Sequence, residues 1–501
     1  MNSPAPIFHR IHPLTVIIEL PKALRQLLFV IVIVVLQMMR GGVDGETQFE
    51  LWAAVLGLLV VFPGIARYYS FGYAIHNGNL LIRSGIVTKK LRTIPLSRIQ
   101  NINLSKPFLH RLLGLVDLQI ETAVGGAAEA EISALSEEKA RILKAQLSGD
   151  RPRAYSPIVE ERNKTVVYRP TLRELILVGA SENRAGAIFA AIAGLAVLPP
   201  VMNEFIGDAS RESFSRVQEF ASKNVLVSAI AFVGFLLIGW LVSIVSTVTR
   251  YYNFEILQEG ANLRRHFGLF TQIENVLPLN RVQTIRVRQN FVQRWLKICQ
   301  VYASTAGGFS GKQDGQQQSE VQRTPLLSPV VRDTERDRLL QVLRPDLDLH
   351  RSDWQSVSAK TLWRHFRSSL IPSAVAAGST AYWLKWMAIP VFVGFVLIGV
   401  LSGFAFYKTA RWSSVTGFIA FKAGWPSKRW QFVPGDKIQY TSMSQTPVQR
   451  ALKLGSVRFN TAATFDSSLE IEDLSFEDAK SLAFEFHRRS MDTKDSLVDG
   501  H

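Results

Sequence analysis

The chain has 501 residues, a formal net charge of +16 and a single cysteine, and 47% of its residues are hydrophobic while 20% are charged. The low charged fraction and the mean hydropathy of +0.12 exclude an intrinsically disordered chain and favour a protein of the lipid bilayer. Because Cys299 stands alone and the nine histidines show no metal-ligand spacing, we expect no disulfide, no metal and no cofactor.

Six apolar segments, arranged in three pairs, predict six transmembrane helices. They run over about 20–39, 51–66, 185–203, 225–249, 368–384 and 386–407. A spanning helix needs about 20 apolar residues, whereas a buried core helix of a soluble protein, the alternative, is typical of runs of roughly 10 to 14. We therefore expect three membrane hairpins, over 14–66, 168–249 and 361–407.

Cations are concentrated just outside each pair, for example at Arg67, Arg250 and Lys408, and the loops inside the pairs are not enriched in them. The positive-inside rule then places both termini and the long connections on the cytoplasmic side of a bacterial inner membrane. Attraction of these cations to anionic headgroups accounts for part of the net charge, so no nucleic-acid partner is expected.

The three long connections repeat one another without a gap, at constant offsets of 183 and 156 residues. We therefore expect three copies of one module, each a hairpin followed by a cytoplasmic domain. The domains are predicted over 67–149, 250–345 and 408–490. The positions that coincide include Gly85, Gly268 and Gly424; Pro95, Pro278 and Pro434; Arg98, Arg281 and Lys437; Gln100, Gln283 and Gln439; and Arg111, Arg294 and Arg450.

Each soluble unit reads as strands followed by a helix. The alternation over 116–121 predicts a strand, and the preceding segments FLHRLLGL, FVQRWLKI and PVQRALKL predict short amphipathic helices. Ser136 and Ser475 stand where an N-cap begins the last helix. In the second unit a Gly/Gln-rich insert near 307–320, interpreted as a flexible loop rather than a recognition loop, shifts the expected cap to Asp333.

The features follow one another in a recognisable series. It consists of an apolar hairpin, a segment such as GIVTKKLRTIPLSRIQNI from Gly85 onward, a short helix, a strand ending in E-T-A or S-T-A, and a capped helix. This series resembles the bacterial pleckstrin-homology-like membrane proteins of the YdbS/YdbT type, and its threefold arrangement is similar to the longer, YdbT-like members. The third copy matches least well, with Gly435 and Asp436 in the motif. The resemblance implies a membrane α plus cytoplasmic α+β fold, in which each domain is a partly open β-sandwich of about seven strands closed by a C-terminal helix.

No catalytic constellation is visible. Residues 136–139 match S-x-x-K, but the third copy has Asp478 where Lys139 stands, so a helix cap is favoured over an acylation site. The chain has no G-x-S-x-G, no P-loop and no ionisable residue near the centre of a predicted span. We expect a protein that is not an enzyme.

Basic residues are the most suggestive functional feature. Lys89 and Lys90 in the first unit correspond to Lys428 and Arg429 in the third. In pleckstrin-homology-like folds this turn carries cations that meet phosphorylated headgroups. The alternative is a solvated turn near an anionic leaflet. The second unit has Gln272 and Ile273 there and is expected to make a protein contact instead, using Arg264, Arg265, Arg286 and Arg288.

The sequence thus favours a polytopic inner-membrane scaffold. Its expected partners are membrane lipids, other membrane or cytoplasmic proteins, and further copies of the chain in a homo-oligomer. The resemblance suggests a role in envelope stress or antimicrobial resistance. The competing hypothesis is a transporter or exporter of an apolar or amphipathic compound, since such a path needs no buried charge.

Overall fold

The computed structural model describes residues 6–24, 27, 46–85, 88–122, 128–147, 165–182, 223–306, 326–347, 353–383, 385–414, 417–463 and 467–486. Most of the first predicted span, the whole third span over 185–203 and the insert near 307–320 lie outside these residues.

In the described residues, the first unit has four helices and six strands. Its elements are α1 (helical over 15–24), α2 (Glu46–Ser70), β1 (Gly72–His76), β2 (Asn79–Ser84), β3 (Lys90–Pro95), β4 (Ile99–Lys106), α3 (Phe108–Leu112), β5 (Leu115–Thr122), β6 (Ala128–Ser136) and α4 (Glu137–Leu147).

The second unit repeats this order after one additional strand. Its elements are β7 (Thr165–Tyr168), α5 (Leu172–Ser181), α6 (Val225–Arg250), β8 (Glu255–Glu259), β9 (Asn262–Phe267), β10 (Gln272–Pro278), β11 (Val282–Gln289), α7 (Phe291–Trp295), β12 (Ile298–Thr305), β13 (Leu326–Arg332) and α8 (Asp333–Leu343).

The third unit again begins with a short strand. Its elements are β14 (Gln355–Ser356), α9 (Thr361–Trp383), α10 (Ala388–Thr409), β15 (Arg411–Ser413), β16 (Phe418–Ala423), β17 (Lys428–Pro434), β18 (Ile438–Ser444), α11 (Pro447–Leu452), β19 (Leu454–Thr461), β20 (Ser468–Ser475) and α12 (476–486). The chain therefore contains three domains of antiparallel strands and helices.

Within a unit, two layers of strands and the last helix share one hydrophobic core. In the first unit Leu80 of β2, Leu118 of β5, Ile132 of β6 and Leu143 of α4 belong to the same buried cluster. Strands such as β10 alternate buried and partly exposed residues with period two, because successive side chains point to opposite faces.

A proline-led turn carries the chain from one layer to the other. After Pro95, Pro278 and Pro434 comes one 3-10 turn: Leu96–Arg98, Leu279–Arg281 and Gly435–Lys437. The first amide of each turn donates to the carbonyl of Gly78, Ala261 and Gly417, respectively, at 3.0, 2.9 and 2.6 Å. The repeated motif thus specifies a corner of the fold.

Three glycines of the motif are required by backbone geometry. Gly85, Gly268 and Gly424 adopt φ of +92°, +113° and +118°, which L-residues rarely adopt. A Cβ at each would also collide with a carbonyl oxygen, that of Thr88, Thr271 or Ser427. Each glycine ends a strand and allows the next one to turn back beside it.

The caps of the last helices are partly as predicted. The amide of Lys139 donates to Ser136 Oγ at 3.4 Å and that of Asp478 donates to Ser475 Oγ at 3.1 Å, which confirms both serine caps. The prediction for Asp333 is wrong: α8 begins at Asp333, because β13 continues to Arg332, which lies opposite Ile298. The Asp333 carboxylate accepts from Gln289 Nε2 instead, at 3.2 and 3.3 Å.

The β-sheets continue across the boundaries between the units, so that each large sheet contains strands of two units. One seven-stranded sheet has the order β6-β5-β4-β10-β9-β8-β7, and the other has the order β13-β12-β11-β17-β16-β15-β14. The second layer of one unit therefore continues into the first layer of the next. Three-stranded sheets remain at the two ends, β1-β2-β3 and β18-β19-β20.

Two of the described helices are long and apolar enough to cross a membrane, over Ile230–Arg250 and Ala388–Thr409. In the 18-residue apolar stretch of each helix, only 17% and 6% of the residues are buried by protein, so most of this apolar surface needs another cover. α9, which packs beside α10, carries Arg364, His365 and Arg367 in its first two turns. The other four spans, and the arrangement of all six in three hairpins, remain predictions.

Small residues close the helix pairs. Gly403 of α10 lies against His365, and Gly179 of α5 lies against the backbone of Ile244 in α6. The hydroxyl of Ser243 donates to the carbonyls of Gly179 and Glu182 at 3.3 and 2.8 Å. Close approach at small residues with interhelical hydrogen bonds is typical of helix packing in lipid.

We expect Gly268→Ala to destabilise the full chain by more than about 2 kcal/mol, because it combines an unfavourable φ with a collision. The matched control is Gly260→Ala, since Gly260 has φ of +59° and open space around its Cβ position; it should cost about 1 kcal/mol. Denaturation of the detergent-solubilised protein measures both. Equal losses for the two variants would contradict the assigned role of Gly268.

Candidate anion-binding site

A cavity of about 380 Å³ in the third unit is lined by five cations. Its lining residues are Lys408, Thr409, Arg411, Lys422, Ala423, Lys428, Arg429 and Trp430. Lys408 and Thr409 are the last residues of the apolar helix α10, and the others lie on β15, β16 and β17.

Strand pairing brings these distant residues together. Arg411 of β15 lies opposite Lys422 of β16, and Lys422 lies opposite Trp430 of β17. Ala423 lies opposite Arg429 in the same register. Three adjacent strands therefore converge on the end of α10 and place its Lys408 beside four further cations.

Aromatic rings and carbonyls contact three of these cations, Lys408, Arg411 and Lys422. Lys422 Nζ lies 3.8 Å from the ring centroid of Trp354, and Lys408 Nζ lies 4.7 Å from that of Phe404. Arg411 Nη1 donates to the carbonyls of Tyr407 and Ala410 at 3.2 and 2.8 Å. Within the described part of the chain, no carboxylate forms an ion pair with any of the five.

Burial and mutual repulsion disfavour the charged lysines. Burial is the main cause that lowers the pKa of Lys422, followed by the positive charges of Arg411, Lys428 and Arg336. Burial likewise lowers the pKa of Lys428, with a further decrease from Arg294, while Asp333 acts in the opposite direction. A bound anion would reduce this repulsion, so the site is suited to a phosphate or another oxyanion.

The other units keep less of this cluster. At the repeat offsets, the first unit has Tyr69, Gly72, Arg83, Lys89 and Lys90, and the second has Tyr252, Glu255, His266, Gln272 and Ile273. Lys89 and Lys90 are exposed, and the Arg83 guanidinium lies 4.9 Å from the ring centroid of Phe8. The predicted residues Lys428 and Arg429 thus belong to the fullest cluster, whereas Lys89 and Lys90 lie on an exposed edge.

Sequence reasoning missed Lys408, Arg411 and Lys422 as members of this site. They lie 6 to 21 residues from Lys428 and Arg429 in the chain and come together only through strand pairing. The only signal in the repeat alignment is that none of the five equivalent positions in the second unit holds a lysine or an arginine.

The repeated motif residues lie mainly at corners and junctions. Gln100, Gln283 and Gln439 each lie where the register of the second layer shifts, between 99 and 101, 282 and 284, and 438 and 440. Arg98, Arg281 and Lys437 end the 3-10 turns, and Lys437 pairs with Asp436 at 3.1 Å.

The arginines of the short helices have different surroundings. Arg111 Nη1 donates to the carbonyl of Leu269 in the second unit at 3.1 Å. The charge of Arg294 acts on Lys428, and Arg450 is exposed on α11. The arginine of the short helix therefore lies close to the following unit in the first and second copies.

The arginines expected to serve a protein contact in the second unit are partly engaged within the chain. Arg264 pairs with Glu259 and Glu274, and Arg265 donates to the carbonyl of Leu326. Arg286 Nη2 reaches Gln431 Oε1 of the third unit at 3.5 Å, and the Arg288 guanidinium lies 5.8 Å from the Tyr302 ring centroid.

The described residues show neither a candidate metal cluster nor an exposed thiol. They contain no group of three His, Cys, Asp or Glu residues that could hold a metal ion. Cys299 is buried, and burial raises the pKa of its thiol to about 12, which leaves it as an unreactive core residue.

Comparisons with known proteins agree with the threefold architecture. The bacterial PH domain family matches residues 17–151, 190–328 and 371–489. The chain is 25% identical over 486 residues to the UPF0699 transmembrane protein YdbT of Bacillus subtilis (strain 168). The aligned region covers 94% of this chain and 95% of that protein. No solved structure matches the chain. The three matches span more than half of the sequence, and the chain belongs to the bacterial PH domain family, of which it contains three copies.

Proposed function

We propose that this protein is a membrane-spanning scaffold whose third domain binds an anionic phosphate-bearing lipid headgroup. The observation that carries the proposal is the five-cation cavity at the end of α10, whose cations have no carboxylate ion pair in the described structure. Cations that have no carboxylate ion pair and lie at the end of an apolar helix are suited to a negatively charged bilayer surface.

The place of the cavity favours a headgroup as the ligand. α10 has 22 residues, enough to cross the hydrocarbon layer, and it ends at Thr409 in the cavity wall. If α10 spans, the cavity lies at the depth of the lipid phosphates. Lys408 and Trp430 also combine a cation and an aromatic ring, a pairing common at the membrane interface.

The arrangement supports tethering rather than catalysis. Hairpins before each domain would confine all three domains to one membrane face, where weak contacts benefit from a high effective concentration. In this proposal the domains face the cytoplasm at a bacterial inner membrane, the protein is not an enzyme, and its partners are lipids and other proteins. The name of the Bacillus relative, a transmembrane protein, agrees with the membrane assignment.

We expect the triple variant Lys422→Gln, Lys428→Gln, Arg429→Gln to lose anionic-lipid binding by roughly 100-fold, since each cation near the surface contributes about 1 kcal/mol. The measurement is binding of water-soluble short-chain phosphatidylglycerol to the full chain in a neutral detergent. Short-chain phosphatidylcholine serves as the neutral ligand and should bind weakly to both proteins.

A matched control removes the same charge from the last helices of the three units, away from the cavity. Lys139, Arg338 and Lys480 are exposed and have no ion pair in the described structure, so Lys139→Gln, Arg338→Gln, Lys480→Gln lowers the net charge equally. This control should keep nearly full affinity. If both triple variants bind alike, binding reflects net charge and the proposed site is wrong.

The affinity of the full chain for short-chain phosphatidylglycerol should also fall as pH rises from about 7 to about 10. This range ends below the usual lysine pKa of about 10.4. Lys422 and Lys428 have lowered pKa values, and a lysine is charged only below its pKa, so these two lose their protons before an ordinary lysine does. A phosphodiester stays ionised over this range, so the change comes from the protein.

The control for this pH dependence is Lys422→Arg, Lys428→Arg, in which both groups stay charged. Its affinity should stay nearly constant over the same range. A decline that matches that of the unmodified chain would show that these two lysines do not cause the pH dependence.

A further inference from the structure

The two junctions between units are built in the same way. In the first, Gln272 of β10 lies opposite Lys106 of β4. In the second, Lys428 of β17 lies opposite Gln289 of β11. Adding the repeat offsets to the first pair of positions gives the second pair, so the same antiparallel register is used twice.

Each terminal unit contains one strand that is equivalent to a junction strand but pairs with no strand of another unit in the described structure. β3 is the copy of β10 and β17, and β18 is the copy of β4 and β11. In the described structure β3 pairs only with β2, and β18 pairs only with β19. Among the described strands, none lies beside the outer edge of β3, the receiving edge of the first unit, or beside the outer edge of β18, the donating edge of the third unit.

Some positions that are buried at a junction are exposed on these edges, although Arg429, the third-unit copy of Ile273, is exposed within the second junction. Thr284 of β11 is 2% exposed, whereas its copy Tyr440 on β18 is 58% exposed. Ile273 of β10 is 4% exposed, whereas its copy Lys90 on β3 is exposed. The next residue of β3, Leu91, is 61% exposed. An open edge that carries large apolar side chains is a template for another strand.

Lysines on an edge strand commonly prevent such pairing, and β3 carries Lys90 and Arg92. The second junction shows that cations at this place do not prevent it. Lys428 and Arg429 begin β17 and are paired there with Gln289 and Arg288 of β11. The β18 sequence IQYTSMS has no charged residue, so it would face the β3 cations without like-charge repulsion.

We propose that β18 of one molecule pairs antiparallel with β3 of a second molecule, which repeats the internal junction between chains. The transferred register places Lys90 opposite Ser444, Leu91 opposite Met443, Arg92 opposite Ser442 and Thr93 opposite Thr441. The contact is heterologous, so repetition of it closes a ring or builds an open chain in the membrane plane. This assembly does not depend on headgroup binding.

The test uses full-length protein in membranes with Leu91→Cys in one set of chains and Met443→Cys in another. Side chains of directly opposite residues have Cβ atoms about 5 Å apart, which permits disulfide formation on mild oxidation. Co-expression of the two variants should give a crosslinked dimer, and each variant alone should not. The buried Cys299, present in every chain, is the background control.

A chain that carries both substitutions should give a series of multimers, or one closed multimer if a ring forms. The register control is Leu91→Cys with Ser442→Cys, because a shift of one residue points the second side chain to the opposite face. The 91/443 pair should give about fivefold more product than the 91/442 pair. No crosslinked dimer, or equal amounts from both pairs, would overturn the proposal.

Discussion

The antiparallel pairing of β4 with β10 and of β11 with β17 is the constraint on which the rest of the structure depends. A small domain with two three-stranded layers has exposed edges that must be paired or protected. Here β4 of the first unit is covered by β10 of the second, and β11 of the second unit is covered by β17 of the third. The fold of each unit and the arrangement of the three units are thus determined by the same hydrogen-bonding pattern.

Side-chain contacts across the junctions differ although the backbone pattern is the same. At the first junction Phe108 meets Phe270 with ring centroids 6.2 Å apart. At the second, Phe418 and Phe432 of the third unit enter the hydrophobic core of the second. Arg344 also pairs with Asp436 at 2.6 Å. The second junction is therefore the more extensively packed.

The basic cavity follows from this packing. β17 holds Lys428 and Arg429 because it lies between β16 and β11, and the second unit brings Arg294 and Arg336 close to Lys428. Repulsion among these groups would destabilise the free cavity. If the cavity binds an anion as proposed, binding would be coupled through β17 to the junction between the second and third units.

In the second unit, a position equivalent to one in the cavity wall forms ion pairs at a junction instead. Where the third unit has Trp430, the second has Glu274, which pairs with Lys144 of the first unit and with Arg264 of its own. These residues stabilise the junction and leave no cation cluster. The middle unit is in this sense a connector, with both of its junction edges covered.

Much of a single unit could be predicted from sequence. Constant offsets identified the three copies, and alternation of apolar residues over 116–121 predicted the strand β5. Ser136 and Ser475 were identified as caps because their hydroxyls are suited to first-turn amides. These features depend on neighbouring residues in the chain, which periodicity and capping patterns report directly.

The arrangement between units was not predictable in the same way. A repeat shows that β4 and β11 are equivalent, but it does not show that they pair with β10 and β17 rather than with strands of their own layer. Arg411 and Lys422 were missed because only cross-strand neighbours reveal the cluster they join. Asp333 was misassigned because the extent of β13 depends on its pairing with Ile298.

Hydrogen–deuterium exchange of the full chain in lipid nanodiscs tests the continuity of the sheets most directly. The account predicts that amides along β10 and β17 are protected as strongly as those of β5 and β12, which lie inside the same sheets. Rapid exchange in β10 and β17 would show that the units are separate domains joined only by the chain, and it would contradict the account.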